Sequence, residues 1–461
     1  MLGLVRDVLQ SEKRGLPAAD VICGVFQRLG KSGRPSAALR GAVSRLLLHE
    51  SRNGGLLLRS ATGTFLLRSH VRRRLRRMVR RRLAIQGFQI ARGGALALPM
   101  APTKPEIRSL HHHARQEKLE ASRGFIERRG HTLSRYFADG RDIDLARFAP
   151  RVVLAEQGSE AAALFRLATL LWSVPVSHGF GRRLRFVIMD DANDKLVGLF
   201  ALGDPVFNLR CRDQWIGWTH IQRAARLYNV MDIFVLGAIP PYSDLLCGKL
   251  TALAAVSNET RKIVADRYRL QRTIIQGKQK DPTLALLTTT SALGRSSLYN
   301  RITLATHIVY ANIGETQGWG HFHLHNGTFT AMIDYLRATN HHIVRAHQYG
   351  DGPNWRMRAA KAGLTEIGLS SDLLQHGIRR QVYGAPLGSQ FREFLRGDVD
   401  DPCEYDLPLR DLISHFKTRW FLPRAAREPR FLGHSGQQLY HELLAGLQVA
   451  TTPLGGPQYA H

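Results

Sequence analysis

The chain has 461 residues, with 65 Lys and Arg against 37 Asp and Glu, a formal net charge of +28 and a pI near 10.8. Hydrophobic residues at 44% and charged residues at 22% exclude a disordered or fibrous chain and suit a folded protein of about two to four domains. Cys23, Cys211, Cys247 and Cys403 are dispersed without a Cys-x-x-Cys pair, which argues against a disulfide framework or a four-cysteine zinc site and suits a reducing cytoplasm. No apolar run is long enough to span a bilayer, since the best, residues 161 to 174, carries Arg166, and the start has no signal-peptide pattern. A soluble cytoplasmic protein with no membrane partner is expected.

The positive charge is front-loaded. Residues 1 to 100 hold 20 Lys and Arg and 4 Asp and Glu, a difference of +16. Such an end points to a polyanion, nucleic acid first, with DNA the leading candidate, and an anionic membrane second.

Residues 3 to 14, 18 to 29 and 36 to 50 have helical periods, with a Gly/Ser/Pro break at residues 30 to 35. The turn at Asn53-Gly54-Gly55 and a hairpin over residues 56 to 68 complete a winged helix-turn-helix pattern over residues 1 to 70; a plain three-helix bundle has the same signature. Residues 71 to 82 then set Leu75, Met78 and Val79, continued by Leu83, on one helical stripe. Arg72, Arg73, Arg74, Arg76, Arg77, Arg80, Arg81 and Arg82 take the other faces. Eight cations with no acid among them repel one another unless phosphates neutralise them, so all eight are candidate nucleic-acid contacts.

Residues 84 to 99 read as a hairpin turning at Arg92-Gly93-Gly94, and 104 to 129 as one long charged helix carrying His111, His112 and His113 as surface residues. Two more helices fill residues 136 to 182. These parts, residues 71 to 182, form a basic linker region ahead of an α/β core over 183 to 327.

In that core, residues 185 to 190 and 196 to 202 form a hairpin around Asp191-Ala-Asn-Asp194. After Arg212-Asp213-Gln214-Trp215-Ile216-Gly217-Trp218 comes a buried strand over 232 to 239. Pro240-Pro241 ends it, and a helix beginning near Ser243 and Asp244 carries Gly248 and Lys249. A strand-turn-helix junction of this kind aims amides at an anion, which makes Tyr242, Gly248 and Lys249 candidate cofactor contacts; a ligand-free connection within a mixed sheet reads the same way. Arg212, Trp215 and Trp218 could read a base by stacking and hydrogen bonding, or Arg212 and Asp213 could form a buried ion pair. Residues 283 to 289 and 307 to 312 are further strands. Tyr299, one turn after Arg295, is a candidate proton donor. His321, His323 and His325 would share one face of a strand, with Glu315 nearby, and could hold a metal; on a turn the same spacing scatters them. Helices over 328 to 339, 355 to 362 and 370 to 377 extend the core to residue 400. Residues 401 to 461 read as an irregular tail ending in a mobile Gly/Pro segment.

The segments Leu196-Val-Gly-Leu-Phe-Ala-Leu-Gly203, Arg212 to Trp218, Arg295-Ser-Ser-Leu-Tyr299-Asn-Arg301, Gly314-Glu-Thr-x-Gly318-x-Gly-His321-Phe-His323 and His376-Gly-Ile-Arg-Arg380-Gln-Val-Tyr383-Gly-Ala-Pro386-Leu387, in this order, resemble the DruA family of the Druantia anti-phage defence system. The likeness covers roughly residues 85 to 395. It implies a role in phage defence beside a helicase-like partner and supplies no chemistry. The order of strands, turn and helix is also similar to the GNAT acyltransferases, which implies an α/β (α+β) mixed-sheet core. It further implies acetyl coenzyme A as cofactor, Tyr299 as acid, and Asp213 or Glu315 as base beside Arg295. In this sequence the family's phosphate signature is reduced to Gly248.

Three readings follow: a nucleic-acid-binding defence component that recognises or modifies foreign DNA, an acyltransferase acting on a nucleobase, tRNA or protein amine, and a metal-dependent nuclease or hydrolase.

Overall fold

The computed structural model describes residues 1–450 apart from 13, 53–54, 61, 92–93, 98–101, 177–178, 180, 273–276, 278, 305–306, 325 and 348–354. The turns expected at Asn53-Gly54 and Arg92-Gly93, and the final segment from 451, lie outside the described residues. The chain is mixed α and β and divides into two compact units, Met1–Pro102 with Trp319–Gly377, and Thr103–Gly318 with Ile378–His461. The boundaries expected at 70, 182, 327 and 400 cut across these units. Among the described residues no helix is long and apolar enough to cross a membrane.

The first unit opens with α1 (Leu2–Ser11), α2 (Ala18–Arg28) and α3 (Ala37–Arg52). A hairpin of β1 (Leu57–Arg59) and β2 (Phe65–Leu67) follows. Leu16, between the first two helices, bridges to Phe65 through two backbone bonds of 3.1 and 2.8 Å, adding a third strand position. Val5, Val8, Val21, Val25, Val43 and Leu47 bury one stripe from each helix against Leu57, Phe65 and Leu67. Helix α4 (Arg68–Ile85) leaves β2 without a linker and packs against the helix Asn326–Ala338. A second hairpin follows as β3 (Gln89–Ile90) paired with β4 (Leu96–Ala97).

The second unit is built on a seven-stranded sheet. Its strands are β5 (Pro150–Leu154), β6 (Arg183–Asp190), β7 (Lys195–Gly203), β8 (Val230–Ala238) and β9 (Leu286–Thr290), which are joined, beyond the two-residue pair β10 (Thr303–Leu304) and β11 (His307–Ile308), by β12 (Ala311–Glu315) and β13 (Gln381–Pro386). The spatial order is β12-β13-β9-β8-β7-β6-β5, antiparallel except for β8 beside β9. A parallel pair needs a crossover. Here it runs through Cys247–Val256 and Asn258–Tyr268, and every residue of the first of these helices except Gly248 is buried, so no polar face marks it. Phe186 and Phe200 stack with centroids 4.6 Å apart on one side of the sheet, both without exposure. Val187, Leu199 and Val235 pack on the other side against Glu160–Thr169 and Gly436–Ala450.

Several expected elements change. Residues 104 to 129 are broken into Lys104–Leu110, His112–Glu120, Arg123–Phe125 and a wide turn, and His111 is buried and joins Arg380 at 3.0 Å. Strands β5 and β13 were not expected, because Val152 to Leu154 and Val382 to Ala385 lack the alternation that marks a strand with one solvated face. Residues 401 to 450 are not an irregular tail. Leu409–Phe416 and Gly436–Ala450 are helices that insert Leu412, Phe416, Leu443 and Leu447 into the two cores, an i, i+4 spacing masked by the surrounding Pro and Gly.

Replacing Phe200 with Ala empties a fully buried, ring-stacked position and is expected to destabilise the second unit by about 3–5 kcal/mol, read as a lower denaturant midpoint.

Candidate functional site

Helix α4 sorts its arginines by angle. At ~100° per residue, Leu75, Val79 and Leu83 form the buried stripe, Arg72 lies in line with it at its N-terminal end, and Arg76 and Arg82 flank it, all three half-buried. Arg76 donates through Nε to the carbonyl of Ile367 at 3.1 Å, just past the helix Trp355–Glu366, where orphan carbonyls need donors. Arg72, with Arg68, lowers the pKa that burial raises at the Tyr335 hydroxyl. Arg73, Arg74, Arg77, Arg80 and Arg81 occupy the opposite face and are all exposed. Among the described residues, Arg73, Arg77, Arg80 and Arg81 form no ion pair.

In the second unit, Arg210–Ile216 places Arg212 with no exposure at all. Its guanidinium bonds Asp213 twice, at 2.9 and 2.7 Å, and the carbonyls of Val206 and Phe207 at 2.8 and 3.0 Å. Asp213 also accepts from Trp218 Nε1 at 3.0 Å, Arg223 at 3.0 Å and the Leu209 amide at 3.1 Å. The carboxylate is thus a structural hub tying the loop before this helix to the helix after it. Of the two readings the sequence allowed, the geometry selects the buried pair: neither Arg212 nor the nearly buried Trp218 presents a surface to nucleic acid. Trp215 lies on Gly384, where an added Cβ would sit 2.5 Å from Cζ3, with Phe391 and Arg392 each 5.0 Å from its ring.

The other candidates are not gathered around Asp213. Tyr299 is in a short 3-10 turn rather than an α-helix, buried between Tyr310 and Tyr383, and burial pushes its hydroxyl up to about 12 against a hydrogen bond with Thr289. Arg295 and Glu315 lie in a loop and at the end of β12, with Glu315 exposed. The helix expected from Ser243 begins only at Cys247, and Asp244 instead pairs with His434 at 2.9 Å. Leu298 fills the space before Gly248, 2.9 Å from an added Cβ. Tyr242 is buried and donates to Asp190 at 2.9 Å. Lys249 donates to the carbonyls of Leu298 and Arg301 at 3.3 and 3.5 Å, and burial, with Arg301 and Arg419, brings its amine down to about 8.

Residues 321–324 form a turn, not a strand, so the shared face expected of the three histidines is absent. His323 is buried and bonds the Leu373 carbonyl at 2.7 Å. Burial and Arg356 bring His321 down to about 4, and His325 lies outside the described residues. No group of three or more metal-ligating side chains occurs among the described residues.

Sequence reasoning missed Asp232, the only acid within the apolar run Val230–Ala238. It keeps partial exposure, and its Oδ1 accepts from Thr288 at 2.9 Å. Burial raises its carboxyl to about 6, against Thr288, Arg212 and Arg183. One acid inside a strand of this kind was the available signal.

The molecule is therefore a two-unit α/β protein, with a helical unit faced by arginine and a mixed-sheet unit that shelters a carboxylate. Residues 101–397 match the family model described as Druantia protein DruA. The Druantia protein DruA of Escherichia coli (strain UMEA 4076-1) is 41% identical over 359 residues, 78% of this chain and 89% of that protein. The chain belongs to the DruA family. No solved structure shows significant similarity to it.

Asp213→Ala is expected to strand the buried Arg212 and to cost about 3–5 kcal/mol of stability, measured as a fall in unfolding free energy.

Proposed function

We propose that this protein is the nucleic-acid-binding component of a Druantia-like anti-phage defence system and that its first unit holds foreign DNA. The supporting observation is the exposed face of α4, where Arg73, Arg74, Arg77, Arg80 and Arg81 stand opposite the buried stripe. Guanidiniums packed on one face repel one another in water, and a phosphate backbone relieves that repulsion while releasing condensed counterions. The half-buried Arg76, fixed on a carbonyl, positions the helix, so the exposed arginines are presented from a rigid element rather than a loose arm. The order helix, bridge, helix, helix, hairpin before it supports the reading of a winged helix-turn-helix, in which α3 would enter the major groove. Membership of the family carries the defence role, and a helicase-like protein of the same system is the expected partner.

The test is fluorescence anisotropy of labelled duplex DNA, single-stranded DNA and RNA over a salt series. Wild-type protein is expected to bind with a steep salt dependence. Replacing Arg73, Arg77, Arg80 and Arg81 together with Gln should weaken binding to all sequences and flatten the slope of log K against log salt by about 0.9 for each duplex phosphate that is no longer neutralised. Failure of the wild-type chain to bind any nucleic acid at low ionic strength overturns the proposal, as does an unchanged slope in the quadruple variant.

A further inference from the structure

Directly paired residues on neighbouring strands share one face of a sheet. The register aligns Arg183 with Gly203, Gly203 with Asp232, Asp232 with Thr288, and Thr288 with Gly384, so these five residues make one row across β6, β7, β8, β9 and β13. Trp215 covers the Gly384 end of the row. At the other end the Arg183 guanidinium lies 3.9 Å from the centre of the Phe234 ring, itself 3.1 Å from an added Cβ at Gly203. Asp232 and Thr288 stand between these two aromatic walls. Thr288 is buried and holds Oδ1, while Oδ2 has no hydrogen-bond partner among the described residues and Asp232 keeps partial exposure.

The surroundings carry a surplus of positive charge. Arg182 pairs with Asp204 at 2.6 Å, and Arg212 and Arg223 share Asp213 at 2.7 and 3.0 Å. With Arg183 and Asp232 added, four guanidiniums face three carboxylates, so this set of side chains remains cationic even with Asp232 ionised.

We propose that Asp232 is the proton-transfer carboxylate of a second site, on the face of the sheet that carries this row, that takes a phosphate-bearing substrate, a nucleotide unit of a nucleic acid. The substrate class rests on the nucleic-acid reading above; the proton-transfer role rests on the row itself. Oδ2 takes the proton of a water or hydroxyl group while the electron pair of the broken O–H bond stays on that oxygen, which bonds to phosphorus as the P–O bond to the departing oxygen breaks; that bond's electron pair stays on the departing oxygen, which then receives the proton from Oδ2. Thr288 fixes the carboxylate, and Arg183 supplies the positive charge beside the phosphate.

A carboxyl held near 6 exchanges protons readily at neutral pH. It also costs stability. Because the folded value lies above the ordinary 3.8, the fold favours the protonated form, and the stability this contributes is complete below 3.8 and lost as the pH rises through about 6. A residue kept only for stability would not carry this penalty at neutral pH.

The experiment replaces Asp232 with Asn in the full chain within its complete defence locus. Asn still accepts from Thr288 but cannot take a proton. At pH 7.5 the purified D232N protein is expected to melt at the wild-type temperature or above it, while phage plating rises by about 100-fold or more as protection is lost. Protection equal to wild type overturns the proposal. A clearly lowered melting temperature also overturns it, since that is the mark of a structural carboxylate. Nucleic-acid binding by the wild-type chain, measured separately, reads the arginine face alone, so the two proposals fail by different observations.

Discussion

Where each guanidinium goes is the constraint that orders this protein. Burying an arginine costs several kcal/mol unless its donors are met by carboxylates or carbonyls, and this chain has 65 Lys and Arg for 37 acids. Acids are therefore shared: Asp213 serves both Arg212 and Arg223, and Arg261 combines Glu404 with the carbonyls of Leu387 and Tyr405 and the side chain of Asn258. Helix ends supply further acceptors, as at Ile367 for Arg76. Cations that are not enclosed in this way face water, and in α4 they fall on one face.

That sorting separates two kinds of charge that a linear reading runs together. Arg212 and Arg73 are equally basic in the sequence. One is wholly enclosed and acts on the protein's own loops, whereas the other has its charge available to a partner. The distinction depends on what packs behind each residue, and it decides which arginines can contribute to binding and which to folding.

The parts of the fold that were legible have strong local signals. The hairpin β6–β7 is marked by Asp191 to Asp194 between two apolar runs, β8 by its β-branched run, and α4 by the period of Leu75, Val79 and Leu83. Strands buried on both faces, such as β13, gave no alternation to read. The helices after residue 401 were hidden because Phe416 and Leu443 become core only when the distant sheet supplies the surface they cover. The site followed the same rule. Arg73 to Arg81 could be found from charge alone, but the row containing Asp232 exists only through the successive pairing of β6, β7, β8, β9 and β13, which a local pattern does not encode.

The first unit is assembled from two stretches of chain, Met1–Pro102 and Trp319–Gly377. The polypeptide therefore passes from one unit to the other three times, after Pro102, Gly318 and Gly377. No single cut releases either unit whole, since a break at 102 leaves the arginine helix without the segment that cradles it. Ribosomal synthesis must finish most of the second unit before the first has all its parts. Over evolution, a gene fragment carrying only the basic end would arrive unfinished, which binds the fate of the two units together in inheritance.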